Sequence, residues 1–165
     1  MFLITPFETI KIFKFQEKNH INQTYLNEIL KIIDNLALYG IYVIIDLHQD
    51  MLSSEFNAYD GVPLWVMKEL PAPKHAYPWP FEDGSKLVFE AYVTDACSFA
   101  FECLYRNVGN FQDYFLQYWE VVAENLVNRT SVLGYEIINE PWAGDIYSNP
   151  VNCFSNKPFI YAIFY

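Results

Sequence analysis

The sequence IYVIIDLHQD, at positions Ile41–Asp50, gives the clearest structural signal in the chain. Its first seven residues are nearly all apolar and rich in β-branched side chains, and they follow a segment with helical spacing. This pattern is typical of a parallel strand buried on both faces. The sequence VLGYEIINE, at Val132–Glu140, has the same character. Because consecutive strands are neighbours in about two-thirds of cases, we predict that strands Ile41–Leu47 and Val132–Ile138 lie side by side in one sheet.

Apolar residues at helical spacing account for most of the chain around these strands. They predict one helix over Thr24–Leu38, with Thr24 as its N-cap and Gly40 as its stop, and two further helices over 86–105 and 110–128. The proline-rich segment His48–Ser85 is predicted to be a long loop, with a short helix near Pro63. Strands that alternate with helices predict an α/β fold with parallel strands.

The composition limits the class of protein. The chain has 165 residues, 53% of them hydrophobic, which indicates a folded domain rather than disorder. A formal net charge of -10 makes nucleic acid an unexpected partner. The sequence contains no run of about 18 apolar residues, so we predict no transmembrane helix. The N-terminal residues show neither the basic region nor the cleavage site of a signal peptide. No spacing predicts a metal site, and we expect no cofactor.

The three cysteines leave the redox state open. An odd number cannot pair completely within one chain. A local disulfide between Cys97 and Cys103 and two buried thiols at these positions are equally compatible with the sequence, and Cys153 is left over. The tripeptides at Asn22 and Asn128 have the form of N-glycosylation sites, which is a weak indication of secretion.

Polar residues follow each predicted strand. The first strand is followed by His48 and Asp50, and the second ends in Asn139 and Glu140. The carboxyl ends of parallel strands face the ligand crevice, so these four side chains are expected on one rim. From the spacing alone, a capping or loop cluster is an equally good interpretation.

Three blocks of sequence occur in the order and at the separation known from one enzyme family. They are GIYVIIDLHQDMLSSEF at Gly40–Phe56, GVPLW at Gly61–Trp65, and GYEIINEPWAGDIYSNP at Gly134–Pro150. In these blocks the chain resembles endoglycoceramidase-type glycoside hydrolases of family 5, which are TIM-barrel enzymes. The resemblance covers roughly Asn22–Pro150. Because a complete (β/α)₈ barrel needs about 250 residues, it implies a partial barrel that holds the early-to-middle βα units. Residues 1–165 would then be a fragment of one catalytic domain, with atypical ends at 1–20 and 151–165.

The resemblance implies a role for each matching residue. Glu140 would be the catalytic acid/base, and Asn139 would bind the 2-hydroxyl of the sugar beside the cleaved bond. His48 and Asp50 would bind other hydroxyls of that sugar. Trp65 would contact the substrate or serve as a packing residue. The two remaining histidines, His20 and His75, are assigned to the surface or to loops.

The second carboxylate of a retaining glycosidase is not found among these residues. Such enzymes use an acid/base and a nucleophile, and the nucleophile of this family is a glutamate on a late strand. The chain has no glutamate after Glu140, and its only later acid is Asp145, in a nearby loop. Alternation puts Glu136 on the face of Glu140, but we predict that Glu136 is a paired carboxylate inside the barrel. We therefore expect the nucleophile to be absent and this chain alone to be inactive.

The function implied by the resemblance is hydrolysis, by a retaining mechanism, of the bond between oligosaccharide and ceramide in glycosphingolipids. Such a substrate fits an extracellular or lysosomal enzyme that contacts membrane surfaces. Two alternatives stay open. The chain could be a non-catalytic truncated chain or pseudoenzyme, or it could belong to a sister glycosidase that acts on other β-glucosides.

Overall fold

The computed structural model describes residues 2–4, 18, 21–58 and 60–154. In this part of the chain, three short parallel strands form one sheet in the order β1 (Phe2–Ile4), β2 (Val43–Asp46), β3 (Val132–Glu136). In chain order, helix α1 comes before β2, and α2, α3 and α4 lie between β2 and β3. The helices are α1 (Gln23–Leu38), α2 (Leu64–Met67), α3 (Asp95–Tyr105) and α4 (Phe111–Leu126). Short 3₁₀ turns occupy Ser54–Phe56, Gly84–Lys86, Phe89–Val93, Val108–Asn110 and Pro150–Phe154.

The two strands predicted from the sequence are adjacent and parallel, which confirms that prediction. Ile44 lies opposite Gly134, and Asp46 lies opposite Glu136. Both strands are shorter than predicted: β2 lacks Ile41, Tyr42 and Leu47, and β3 lacks Ile137 and Ile138. Hydrogen bonding continues irregularly beyond the paired strands: the Leu47 N–H bonds to the Glu136 carbonyl at 3.0 Å.

The sheet also contains a strand that the sequence pattern does not predict. β1 pairs with β2 in register, Phe2 opposite Val43 and Ile4 opposite Ile45. β2 is therefore the central strand. Val43 and Ile45 are buried, as the apolar pattern predicts, and the charged residue Asp46 is buried beside them.

The prediction that the second strand is buried on both faces is wrong. In β3, Leu133 is 57% exposed and Tyr135 is 37% exposed. β3 is one of the two edge strands of the sheet formed by the described residues, so its side chains meet fewer neighbours than those of β2. An apolar sequence thus occurs here without full burial.

The helix boundaries follow from the capping residues. α1 begins one residue before the predicted Thr24 because Asn22 is the N-cap; its Oδ1 accepts the Tyr25 N–H at 3.1 Å. Gly40, at φ +70°, ends α1 as predicted. The helix predicted over 86–105 is regular only from Asp95, since Thr94 caps α3 with its hydroxyl.

The core lies between β2 and the helices. α4 contributes one apolar face as its spacing predicts, and α3 is buried along most of its length.

Cys97 and Cys103 are free thiols within this core, so the buried-thiol alternative is correct. Burial raises the pKa of Cys103 to about 12 and that of Cys97 further still. No helix among the described residues combines the length and apolarity needed to cross a membrane. The largest fully buried apolar side chains are Phe101, Phe111, Ile33, Leu52 and Leu104.

Candidate active site

A buried aspartate holds His48 at the carboxyl end of β2. Asp46 is fully buried, and its Oδ2 lies 2.9 Å from Nδ1 of His48. Alternation along the strand puts the two side chains on the same face. The other carboxylate oxygen, Oδ1, is buried without a hydrogen bond among the described residues. The contact with Asp46 fixes the orientation of the imidazole ring of His48.

Gln49 joins the ends of β2 and β3. Its side chain is buried, and its Nε2 donates to the Asn139 carbonyl at 2.6 Å while its Oε1 accepts the Asn139 N–H at 3.1 Å. In return, Nδ2 of Asn139 donates to the Gln49 carbonyl at 3.2 Å. These reciprocal bonds fix Asn139 beside the loop that carries His48 and Asp50. The four predicted rim residues therefore share the carboxyl-end edge of the sheet.

The charges of Asp50 and Glu140 both act on the hydroxyl of Tyr92. Both carboxylates are exposed, whereas Tyr92 is 5% exposed. Burial raises the pKa of the Tyr92 hydroxyl, and the negative charges of Glu140 and Asp50 raise it further. Glu140 has φ +40°, a left-handed conformation that is costly for a residue with a side chain. The chain thus turns sharply at the residue predicted to act as the acid/base.

α3 anchors the loop that follows Glu140. Ser98 is fully buried, and its hydroxyl donates to the Gly144 carbonyl at 2.5 Å while accepting from Trp142 Nε1 at 3.3 Å and from the Ile146 N–H at 3.1 Å. The Tyr105 hydroxyl donates to the Trp142 carbonyl. One helix face therefore determines the path of the loop after Glu140.

The edge of the sheet has groups suited to binding and cleaving a hydroxyl-rich ligand. Carboxylates accept hydrogen bonds from hydroxyl groups, whereas an amide and an imidazole can both donate and accept. An exposed carboxylate such as Glu140 can exchange a proton with a ligand or with water. No group of three or more His, Cys, Asp or Glu side chains in the described part of the chain could hold a metal ion.

Trp65 lies in a different environment from these residues. It packs edge-on against Tyr114 of α4, with ring centroids 4.9 Å apart, and the ammonium of Lys18 lies 6.0 Å from its ring. It lines an apolar cavity with Val66 and Phe111. These contacts suit the packing alternative, and substrate contact by Trp65 stays a prediction.

The predictions for the other acid and histidine side chains have mixed outcomes. Glu136 is exposed on the edge strand, so the prediction of a paired, interior carboxylate is wrong for this structure. His75 is in a loop as predicted, but it is half-buried; its Nδ1 lies 3.0 Å from Asp95 and its ring stacks on Trp79 at 4.0 Å. His20 lies outside the described residues.

Sequence reasoning did not identify the residues that support this site. Asp46 and Gln49 could have been suspected, because polar residues in an apolar strand need partners. Ser98 and Tyr92 carry no such signal, since they come from a separate segment that only tertiary folding brings to the sheet edge.

Comparisons with known proteins agree with the resemblance in the sequence. The family model for Cellulase (glycosyl hydrolase family 5) matches residues 6–163. An endoglycoceramidase of Hydra vulgaris is 36% identical over 149 residues, covering 81% of this chain and 28% of that protein. An endoglycoceramidase of Cyanea nozakii is 34% identical over 147 residues, covering 81% of this chain and 29% of that protein.

The fold is shared with a solved enzyme. The structure of endo-glycoceramidase II from Rhodococcus sp. in complex with ganglioside GM3 has a TM-score of 0.64 and 22% identity, over 92% of this chain and 34% of that one. The chain spans less than a third of the length of the curated Hydra and Cyanea relatives it matches. The family match, the endoglycoceramidase relatives and the common fold lead to one conclusion: the chain belongs to glycosyl hydrolase family 5, a TIM-barrel family, and within it is similar to the endoglycoceramidases.

Proposed function

We propose that this chain forms part of a retaining endoglycoceramidase, which hydrolyses the bond between oligosaccharide and ceramide, with Glu140 as its acid/base. The observation that supports the proposal most directly is the arrangement at the carboxyl ends of β2 and β3, where Gln49 fixes Asn139 beside His48 and Asp50. Identities of 36% and 34% to two endoglycoceramidases support the substrate class.

Each rim residue has a role in this proposal. Glu140 gives its proton to the oxygen that leaves with ceramide, while a second carboxylate attacks the sugar carbon and forms a glycosyl-enzyme bond. Glu140 then removes a proton from water, which attacks the same carbon and releases the sugar. Asn139 binds the neighbouring 2-hydroxyl, and His48 and Asp50 bind other hydroxyls of that sugar.

The second carboxylate would come from outside these 165 residues, because no glutamate follows Glu140. β1, β2 and β3 would then be early-to-middle strands of a (β/α)₈ barrel. In this view the chain Met1–Tyr165 by itself releases no oligosaccharide from a glycosphingolipid. A substrate of this kind also suits an extracellular or lysosomal enzyme that works at membrane surfaces.

The test is a chimera in which the matched segment of the Hydra vulgaris relative is replaced by the corresponding residues of this chain. The rest of the relative supplies the remaining strands. We expect Glu140→Gln to lower kcat on ceramide-linked substrates by about 10²–10⁴-fold. The loss should be smaller on aryl glycosides, because their leaving groups need little protonation.

Glu136→Gln is the matched control, since it neutralises an exposed carboxylate at the end of β3, four residues before Glu140. It should leave kcat within about two-fold. Equal losses on both substrate classes would contradict the acid role of Glu140. Release of oligosaccharide by Met1–Tyr165 alone, abolished by Glu140→Gln, would show that this chain already holds a nucleophile.

A further inference from the structure

Tyr92 contacts both loops that carry the candidate carboxylates. It lies in the 3₁₀ turn Phe89–Val93, and its hydroxyl oxygen accepts the Met51 N–H at 2.9 Å. Its ring stacks on Trp142, with centroids 5.7 Å apart and planes inclined by 27°. Met51 directly follows Asp50, and Trp142 is two residues after Glu140. One side chain therefore bridges the loop after β2 and the loop after β3.

Both bridged loops contain a strained backbone. Met51 has φ +55° and Glu140 has φ +40°, and neither is a glycine. Such conformations cost about 1–3 kcal/mol each and persist only where neighbouring groups impose them. Tyr92 supplies a contact to each loop, at Met51 itself and close to Glu140.

The hydroxyl of Tyr92 also has a hydrogen that it can donate. Its oxygen accepts from Met51, but no described residue accepts the hydroxyl hydrogen. Tyr92 lines a cleft of ≈ 350 Å³ together with Asp50 and Asp60. The neighbouring charges of Asp50 and Glu140 raise the pKa of this hydroxyl in addition to burial, which keeps it protonated as a donor.

We propose that Tyr92 is a positioning residue for the reaction, which holds the Asp50 loop through its hydroxyl and the Glu140 loop through its ring. Its effect on catalysis rests on the proposed function, whereas its coupling of the two loops does not. A phenylalanine would fill the same space and could stack on Trp142, but it could not accept the Met51 N–H.

The test combines hydrogen exchange and kinetics. Exchange is measured by mass spectrometry in the full chain Met1–Tyr165 and in the chimera with the Hydra vulgaris relative. In Tyr92→Phe, we expect the Met51 amide to exchange about 3- to 10-fold faster, because one hydrogen bond is lost. In Tyr92→Leu, which also removes the ring, the Ile146 amide should exchange faster as well. Amides of α4 should be unchanged in the Phe variant.

In the chimera, Tyr92→Phe should lower kcat about 10- to 100-fold with KM within two-fold, because small displacements of catalytic groups are costly. Tyr77→Phe is the matched control: it removes a hydroxyl that bonds to the Gly84 carbonyl at 2.9 Å, and it should change neither kcat nor Met51 exchange. Uniformly faster exchange in Tyr92→Phe, a change in KM alone, or no change in kcat would overturn the inference. An inactive parent chimera would instead refute the proposed function, and the exchange at Met51 and Ile146 would still decide the coupling.

Discussion

Replacing Gln49 by alanine should destabilise the fold more than any other glutamine substitution among the described residues. The side chain is 2% exposed and makes two well-formed bonds to the Asn139 backbone, at 2.6 and 3.1 Å, with a longer third contact to the Met51 carbonyl at 3.3 Å. Each good bond contributes about 0.5–1.5 kcal/mol net, and the loss of the buried Gln49 side chain leaves the Asn139 carbonyl without this donor, whereas the Asn139 N–H keeps a bond to the Leu47 carbonyl at 3.2 Å. The loss should be about 2–4 kcal/mol.

The assay is urea unfolding of Met1–Tyr165, with thermal unfolding as a second measurement. A domain of this size shifts its Tm by about 2–4 °C per kcal/mol, so Gln49→Ala should lower the Tm by roughly 4–16 °C. Gln23→Ala is the control, because Gln23 makes one exposed bond to Asn27 within α1. Such a pair contributes about 0.2–0.5 kcal/mol, which the helix propensity of alanine offsets.

Gln49→Glu separates the hydrogen bonds from the packing. It keeps the volume of the side chain but puts a carboxylate oxygen against the Asn139 carbonyl, where an N–H donor is needed. We expect a loss at neutral pH at least as large as in Gln49→Ala. If Gln49→Ala and Gln23→Ala cost the same within 0.5 kcal/mol, a threshold set by the spread usual for surface substitutions, the clamp between β2 and β3 does not stabilise the fold.

Two further predictions concern the loop after Glu140 and the contact between α1 and the turn before β3. Gly144→Ala should cost about 1–3 kcal/mol in urea unfolding, because Gly144 has φ +82° and a Cβ there would meet the Glu102 carboxylate; Gly134→Ala, with open space around it, should cost under 1 kcal/mol. The hydrogen bonds from Arg129 hold the pKa of the Asp34 carboxyl below its usual range. The pair therefore stabilises the fold above the unfolded pKa of about 4, and this contribution is lost as the pH falls through the lower folded pKa. Between pH 7 and pH 3, Asp34→Asn should lose less stability than the parent chain; an equal loss would contradict this assignment.

The elements that could be predicted are those whose signal is local. α4 can be predicted from the sequence because its apolar residues recur at 3.6-residue spacing. β2 can be predicted because seven consecutive residues are almost all apolar. β1 cannot be predicted in this way because three residues are too few to show any periodicity. The predicted burial of β3 is wrong for a different reason. An apolar strand has the same sequence pattern in the centre of a sheet and at its edge, and its exposure depends on which strands and helices pack against it.

The candidate site divides in the same way, between residues with a local pattern and residues that contribute only through tertiary contacts. Glu140, Asn139, His48 and Asp50 follow directly after strands, so the topology of a parallel sheet is sufficient to bring them to one edge. Tyr92 and Ser98 hold the loops of those residues from α3 and the turn before it, at least 40 positions from His48. Nothing in their local sequence differs from that of ordinary core residues.

Asp46 is a supporting residue whose role could be predicted from the sequence, because it is a charged residue in an apolar strand. It interrupts an otherwise apolar strand, and an unpaired carboxylate in the interior is too costly to be retained without a partner. The alternation of strand side chains leaves His48, two residues later, as the nearest polar group on the same face. The observed distance of 2.9 Å between Oδ2 and Nδ1 is the contact that this reasoning predicts. A buried charge close in sequence to a candidate ligand-binding residue therefore indicates that the side chain of that residue is held in one orientation. Residues such as Ser98 pair with backbone groups of a distant loop, so only the three-dimensional structure identifies their role.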